Sequence, residues 1–225
     1  MNLLCLICAR MGSKGIKNKN MQSINNKKLI DITIEQATKS KIFNKVVVST
    51  DSSKIQKHVI SKKVFSWFLR PKSLSGDKAS KLDVIEHALM ESEKKFKTRF
   101  DIICDLDVTS PLRSISDINR AYYKFRKNNY DVLFSVSEAK KNPYFNIVEK
   151  TSNKVNLVKK IKKKIVSRQQ APKVYEMNAS MYFWKRNSLL KRKRFGKNVG
   201  IYKMPRERSI DIDDTLDLKI VRKLI

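Results

Sequence analysis

The chain has 225 residues, 41% of them hydrophobic, with only five Gly and five Pro; this describes one globular domain (1–225) with a sizeable core and excludes disorder. Lys and Arg number 50 against 21 Asp and Glu, a formal charge of +29 that draws polyanions of any kind: nucleic acid, anionic membrane or phosphorylated substrate. Yet the cations are spread along the chain, with denser runs at 159–164 (KKIKKK) and 191–194 (KRKR), and no zinc-finger, RRM or KH signature accompanies them; specific nucleic-acid reading is the weaker alternative.

Residues 2–9 are apolar without alternation, as in a buried parallel strand. The run stops at Arg10 with no basic stretch before it, too short for a secretory signal, and nothing approaches a membrane-spanning length, so a soluble cytoplasmic protein is expected. Cys5 and Cys8 form a CxxC spacing, but i and i+3 on a strand face opposite sides of a sheet, and no second pair completes a zinc site; they read as packing thiols. Helical spacing follows over 28–42 (Ile30, Ile34, Ala37, Ile42), then a strand over 45–50, a short helix around 53–62 and a strand over 64–69 (VFSWFL). A helix is predicted over 81–96, a buried strand over 101–108, a helix over 114–127 opening on Ser114, and a strand over 130–136.

Past residue 137 come short basic pieces that read as a hairpin leaving the main sheet, then strands at 180–184 and 200–205 that return to it. The last segment opens on an acidic N-cap candidate, with Leu216, Ile220 and Leu224 predicted as its apolar face. Alternating strands and helices over the first 136 residues predict an α/β fold with a mostly parallel central sheet and helices on both faces. Arg10, the Ser49-Thr50-Asp51 triplet and Asp107 cluster at predicted strand C-termini, where open α/β sheets bind ligands.

The first of these loops carries Gly12 and Gly15 with Ser13, Lys14, Lys17 and Lys19 between or just after them. Glycines let backbone N–H groups approach oxyanions while Lys neutralises charge, but the spacing is neither a Walker A loop nor GxGxxG, so a phosphate loop and a solvated turn both stand on the motif alone.

ARMGSKGIKNKN (9–20), VVVSTDS (46–52), RPKSLSGDKAS (70–80), TSPLR (109–113), SRQQAPKVYEMNASMYF (167–183) and SIDIDDTLDL (209–218) together resemble the CMP-sialic acid synthetases, the acylneuraminate cytidylyltransferases, and their relatives that activate other nonulosonic acids. The six blocks stand in that family's order across nearly the whole chain. The resemblance implies a nucleotide-diphospho-sugar transferase-like fold and the reaction of CTP with a sialic-acid-like sugar to give CMP-sugar and pyrophosphate, with Mg²⁺. It also implies a homodimer in which residues 138–175 reach across to the partner. Activation of a 3-deoxy-manno-octulosonate, or its amino derivative, is the alternative within the same fold.

Carried onto this chain, the resemblance gives CTP to Arg10, Gly12, Ser13, Lys14, Lys19 and Asn20, with Arg70, Ala79 and Ser80 at the cytosine. Arg10 and Lys19 act on the phosphates in catalysis. Asp211 and Asp213, two apart in an extended segment, become the metal pair; their alternative is helix capping, which Asp214 can serve. The acceptor is an anionic keto sugar acid, met by Arg168 and Gln169, with Asn178 nearby and Lys141 as a cross-subunit contact. Arg113 reads equally as a helix-start ion pair, and His58 and His87 match no motif. One departure stands out: many sialic-acid enzymes carry Gln-Pro where this chain has Asp107-Val108. A carboxylate there serves as a further metal ligand or as a sugar contact, and favours a legionaminic- or pseudaminic-type acid, or an amino-substituted octulosonate, over N-acetylneuraminate.

Overall fold

The computed structural model describes residues 1–12, 15–162 and 165–225. In chain order the strands and helices are β1 (Leu3–Cys8), the two-residue pair β2 (Ser23–Ile24) and β3 (Lys27–Lys28), α1 (Leu29–Ser40), β4 (Lys45–Ser49), α2 (Ser53–Ser61), α3 (Lys81–Phe96) and β5 (Ile102–Leu106). There follow α4 (Ile115–Lys127), β6 (Val132–Glu138), the hairpin β7 (Val148–Thr151) and β8 (Lys154–Leu157), β9 (Tyr175–Lys185), α5 (Arg186–Leu190), β10 (Val199–Lys203) and α6 (Thr215–Leu224).

Six strands form one sheet in the order β10-β6-β9-β5-β1-β4. β1 pairs in parallel with β4 and β5, and β10 in parallel with β6, while β9 runs antiparallel between β5 and β6. The unpatterned apolar run of β1 has a direct cause: Leu3, Cys5 and Ile7 pack on one face against α1, α4 and α6, and Leu4 and Leu6 on the other against α3. Cys5 and Cys8 accordingly belong to opposite faces, and the three cysteines are free thiols. Ser114 caps α4 in a reciprocal box with Asp117, and Asp214 does the same for α6 with Asp217. Among the described residues no helix is long and apolar enough to cross a membrane.

Two sequence expectations are corrected. Residues 64–69 do not form a strand; they touch β4 at two isolated bridges, Val47–Phe65 and Thr50–Leu69. Their aromatic rings instead pack edge-on, with Phe65 5.0 Å and Trp67 5.3 Å from Phe96 of α3, so ring packing replaces a hydrogen-bonded ladder. On α6 the buried face is Leu218 and Val221, whereas Leu216, Ile220 and Leu224 are exposed. The capping box fixes where the helix starts, and that rotation turns Leu218 and Val221 onto Ile212 and the sheet.

β9 contains an irregularity that bears on the site. Its register with β6 slips between Phe134 and Val136, and Ala179 takes a left-handed backbone (φ 51°). Asn178, just before it, is thereby turned into the sheet, where its Oδ1 accepts from Ser135 Oγ at 2.6 Å and its Nδ2 donates to Ser209 Oγ at 3.0 Å.

Candidate active site

At the C-terminal ends of β1, β4 and β5 lies a cavity of about 450 Å³. Four stretches of chain build it, each brought there by the parallel sheet.

The first is the loop leaving β1. Met11 N donates to Asp51 Oδ1 at 2.8 Å, which gives the Ser49-Thr50-Asp51 corner its structural role. Asn20, almost fully buried, donates from Nδ2 to the Arg10 carbonyl at 2.8 Å and pins the loop back on its own start. Arg10 reaches across the cavity to Asp77, Nη1 to Oδ1 2.7 Å. Lys19 Nζ donates to the Ile212 carbonyl at 2.6 Å and meets Asp213 Oδ1 at 3.1 Å. Gly15 lies so close to the Asp213 backbone that a Cβ there would sit 2.1 Å from the Asp213 carbonyl oxygen. That close approach is what requires glycine here. Ser13 and Lys14 lie outside the described residues.

The second stretch, 70–81, supplies Arg70, Leu74, Gly76, Asp77 and Ala79 to the wall. Arg70 is buried and donates from Nη2 to the Ser49 carbonyl at 2.8 Å. Ser80 is the N-cap residue of α3, outside the lining.

The third is the end of β5. Asp107 Oδ1 accepts from Thr109 N at 3.3 Å and Thr109 Oγ at 3.1 Å, and Asp107 Oδ2 receives Lys81 Nζ at 2.9 Å. The same ammonium stands 3.2 Å from Asp105, whose side chain is 1% exposed. Burial pushes the Asp105 carboxyl up, with Lys81 pulling against it. At Asp107 burial acts upward too, but the Lys81 ammonium and the Thr109 bonds outweigh it and hold the carboxyl below its ordinary value. Burial disfavours the Lys81 cation, and the two carboxylates overcome that and raise it. Behind them, burial pushes the Cys8 thiol up to about 12, so it stays protonated and inert.

The fourth is the extended segment before α6. Asp211 and Asp213 both line the cavity. Burial, reinforced by Asp107 and Asp213, raises the Asp211 carboxyl to about 6, although Thr109 and Lys19 pull it down. Among the described residues its Oδ1 is buried without a hydrogen-bond partner. An orphaned carboxylate oxygen beside a second carboxylate is the donor set a hard divalent cation takes. Among the described residues no group of three or more His, Cys, Asp or Glu is gathered to hold a metal by itself. The pair therefore suits an ion such as Mg²⁺, which takes one or two carboxylates and fills the rest with substrate oxygens and water. Capping of α6 falls to Asp214, which leaves Asp211 and Asp213 for other work.

The structure thus gathers Arg10, Gly12, Lys19, Asn20, Arg70, Ala79, Asp107, Asp211 and Asp213 around one cavity. Among the described residues, the other sequence-named ones lie elsewhere. Arg168 and Gln169 are exposed on a 3₁₀ turn (Arg168–Gln170), where Arg168 Nη2 donates to the Ala139 carbonyl at 2.9 Å. Lys141 is exposed beyond β6, and the Asn178 amide is engaged inside the sheet. Lys81 and Thr109 went unnamed at the sequence level although each adjoins or opens a recognised block. Arg113 forms no helix-start ion pair: it is fully buried and donates to the carbonyls of Asp107 and Ser180 and to Gln36 Oε1. It thereby holds the end of β5 in place.

A fold of this order, with a basic glycine loop facing a pair of aspartates, has known counterparts. A family model described as cytidylyltransferase matches residues 4–223, and the chain belongs to that family. It is 46% identical over 224 residues to CMP-N,N'-diacetyllegionaminic acid synthase of Campylobacter jejuni, covering 99% of this chain and 94% of that one. It is 44% identical, with the same coverage, to post-translational flagellin modification protein B of Campylobacter coli. N-acylneuraminate cytidylyltransferase of Escherichia coli is 31% identical over 97% of this chain and 51% of its own. The fold superposes on a CMP:2-keto-3-deoxy-manno-octonic acid synthetase solved with CTP, at a TM-score of 0.73 and 16% identity, over 100% of this chain and 98% of that one.

Proposed function

We propose that the protein activates a sialic-acid-like nonulosonic acid, transferring CMP from CTP to its anomeric hydroxyl and releasing pyrophosphate, as a Mg²⁺-dependent cytoplasmic homodimer. The observation that carries this reading is the meeting of two distant blocks: Gly15 and Lys19 against Ile212 and Asp213, with Asp211 alongside. A cationic phosphate loop and a carboxylate pair at one cavity is the arrangement that phosphoryl transfer needs, since its catalysis is positioning and charge stabilisation.

In the reaction the anomeric hydroxyl gives up its proton to water, with one of Asp211 and Asp213 placed to assist, and its oxygen forms a bond to the α-phosphorus while the bond to the pyrophosphate oxygen breaks in line. Arg10 and Lys19 hold the phosphates, with Gly12 and Gly15 letting backbone come close; Ser13 and Lys14 join them by family resemblance. Arg70 and Ala79 flank the base, with Ser80 behind. Asp211 and Asp213 hold Mg²⁺, which when bound neutralises charge on the phosphate oxygens. Arg168, Gln169, Asn178 and Lys141 remain the proposed sugar side. The exposed hairpin β7–β8, with Val148 60% and Val155 64% exposed, supports an arm covered by a second copy, which brings 138–175 to the partner's site.

The test is pyrophosphate release from CTP and Mg²⁺ with a panel of nonulosonic acids and a 3-deoxy-manno-octulosonate. Release with one or more nonulosonic acids is expected. Release from none of them refutes the substrate class, and release with the octulosonate alone transfers the reading to that acid.

A further inference from the structure

Lys81 is absorbed by none of the roles above, although its ammonium enters the cavity wall and locks onto Asp107. The pair is not spent on itself. Lys81 is 42% and Asp107 22% exposed. An ammonium has three donors; Lys81 donates one to Asp107 and stands 3.2 Å from Asp105 without a hydrogen bond to it. A carboxylate has about four acceptor sites, and Asp107 uses three of them, one toward Lys81 and two toward Thr109. At least one donor and one acceptor therefore stand side by side at the cavity surface. That is the complement of a secondary amide, whose N–H seeks an acceptor and whose carbonyl seeks a donor a few ångströms away.

The sheet order says which ligand this wall meets. The phosphate loop follows β1, and Arg70 stacks its segment beside β4. Asp107 follows β5, on the other side of β1 and next to β9, where the proposed sugar residues begin. Thr109, bonded to Asp107 through its hydroxyl, accepts from Ile212 N at 2.9 Å through its carbonyl, so the pair shares the cavity wall with the neighbouring Asp211. Lys81 is the counter-charge that lets a carboxylate stand at this wall.

We infer that the Lys81–Asp107 ion pair is a specificity site that reads a second acetamido group of the sugar acid, the one N-acetylneuraminic acid lacks, Asp107 accepting from its N–H and Lys81 donating to its carbonyl. The inference rests on the cytidylyltransferase reading above. It makes the preferred acceptor an acid with two acetamido groups, because a site built to hydrogen-bond a group rejects the analogue that lacks it. Lys81 also neutralises Asp107 on the side toward Asp105, so Asp107 serves the sugar and leaves Asp211 and Asp213 as the metal pair.

The experiment measures kcat/KM with N,N'-diacetyllegionaminic acid and with N-acetylneuraminic acid, and KM for CTP, in wild type, Asp107→Asn, Lys81→Gln and the double variant. Asp107→Asn leaves the buried Asp105–Lys81 pair intact, so it tests the site without exposing the fold to an unpaired charge. Wild type is expected to favour the two-acetamido acid. Each single variant should erode that ratio by about 10-fold or more, the worth of a charged hydrogen bond, with KM for CTP little moved and the double variant no worse than either single one. Equal losses on both acids overturn the proposal and make the pair a structural brace. A raised KM for CTP with lost discrimination against dCTP overturns it in favour of ribose recognition. If wild type releases no pyrophosphate with any sugar, it is the proposed function that fails.

Discussion

An Asp211→Asn substitution separates what this carboxylate costs the fold from what it does for turnover. Burial and the neighbouring carboxylates raise its pKa from an ordinary 3.8 to about 6. The folded protein thus binds that proton more tightly than the unfolded chain does. The penalty is absent below about pH 4, grows as pH rises from about 4 to 6, and is complete above, where it reaches on the order of 3 kcal/mol. Asn carries no charge to desolvate, though its amide still needs partners, so a net gain of about 1–3 kcal/mol at pH 8 is expected, or roughly 2–10 °C in Tm. Thermal unfolding of both proteins at pH 4.5 and pH 8, without metal, should show the variant more stable at pH 8 and the gap closing at pH 4.5. Pyrophosphate release should fall at least about 100-fold, the scale of losing a principal electrostatic contact. CTP with Mg²⁺ should raise the Tm of wild type much more than that of the variant. A variant no more stable at pH 8, or a gap equal at both pH values, refutes the account of Asp211 as a strained, cation-seeking carboxylate.

Gly15→Ala places a methyl against the Asp213 carbonyl, and since backbone stands on both sides the loop must move away; a loss of about 1–3 kcal/mol and a marked fall in kcat/KM for CTP are expected, read by urea unfolding and turnover. Arg113→Met strips donors from the Asp107 and Ser180 carbonyls, and the urea midpoint should fall by an amount worth about 2–4 kcal/mol with its slope unchanged. Arg10 and Asp77 form a half-exposed ion pair, so Asp77→Ala should shift stability by less than about 1 kcal/mol. Arg10→Ala, by contrast, should raise KM for CTP roughly 10-fold or more, as removal of a charged phosphate contact does.

The central part of the fold was legible because its residues have one way to be satisfied. β1 is apolar on every residue and must be covered on both faces, and α3 carries its apolar spacing from Leu82 to Phe96 just as the helix runs. The segment 64–69 misled because aromatic and β-branched residues favour strands and ring clusters alike, and only the position of Phe96 decides between them. On α6 two apolar stripes compete, Leu216/Ile220/Leu224 and Leu218/Val221, and the capping box selects the second. In the site, Arg10, Lys19, Asp211 and Asp213 were named through the family resemblance of their blocks, since the loop's spacing left a solvated turn open and the two aspartates read equally as helix caps. Lys81 was not, because its meaning depends on two carboxylates in β5 and just beyond that no spacing within its own helix announces. Arg113 stayed open between two readings for a similar reason: its partners are mostly carbonyls, which every residue has.

β9 has a consequence in time as well as in space. β5 and β6 follow one another in the chain, yet they are not neighbours, because β9 enters between them from far downstream. Until residues 175–185 are in place, β4–β1–β5 forms a patch with an open edge, and β6 has nothing to join it to. Folding through such distant pairings is slow, since loop closure must precede any gain from contact. The glycine loop after β1 and the Lys81–Asp107 pair belong to the early patch, whereas Asp211 and Asp213 follow the wedge strand in the chain. A chain emerging from the ribosome therefore holds one wall of the cavity before the carboxylates that face it have been made.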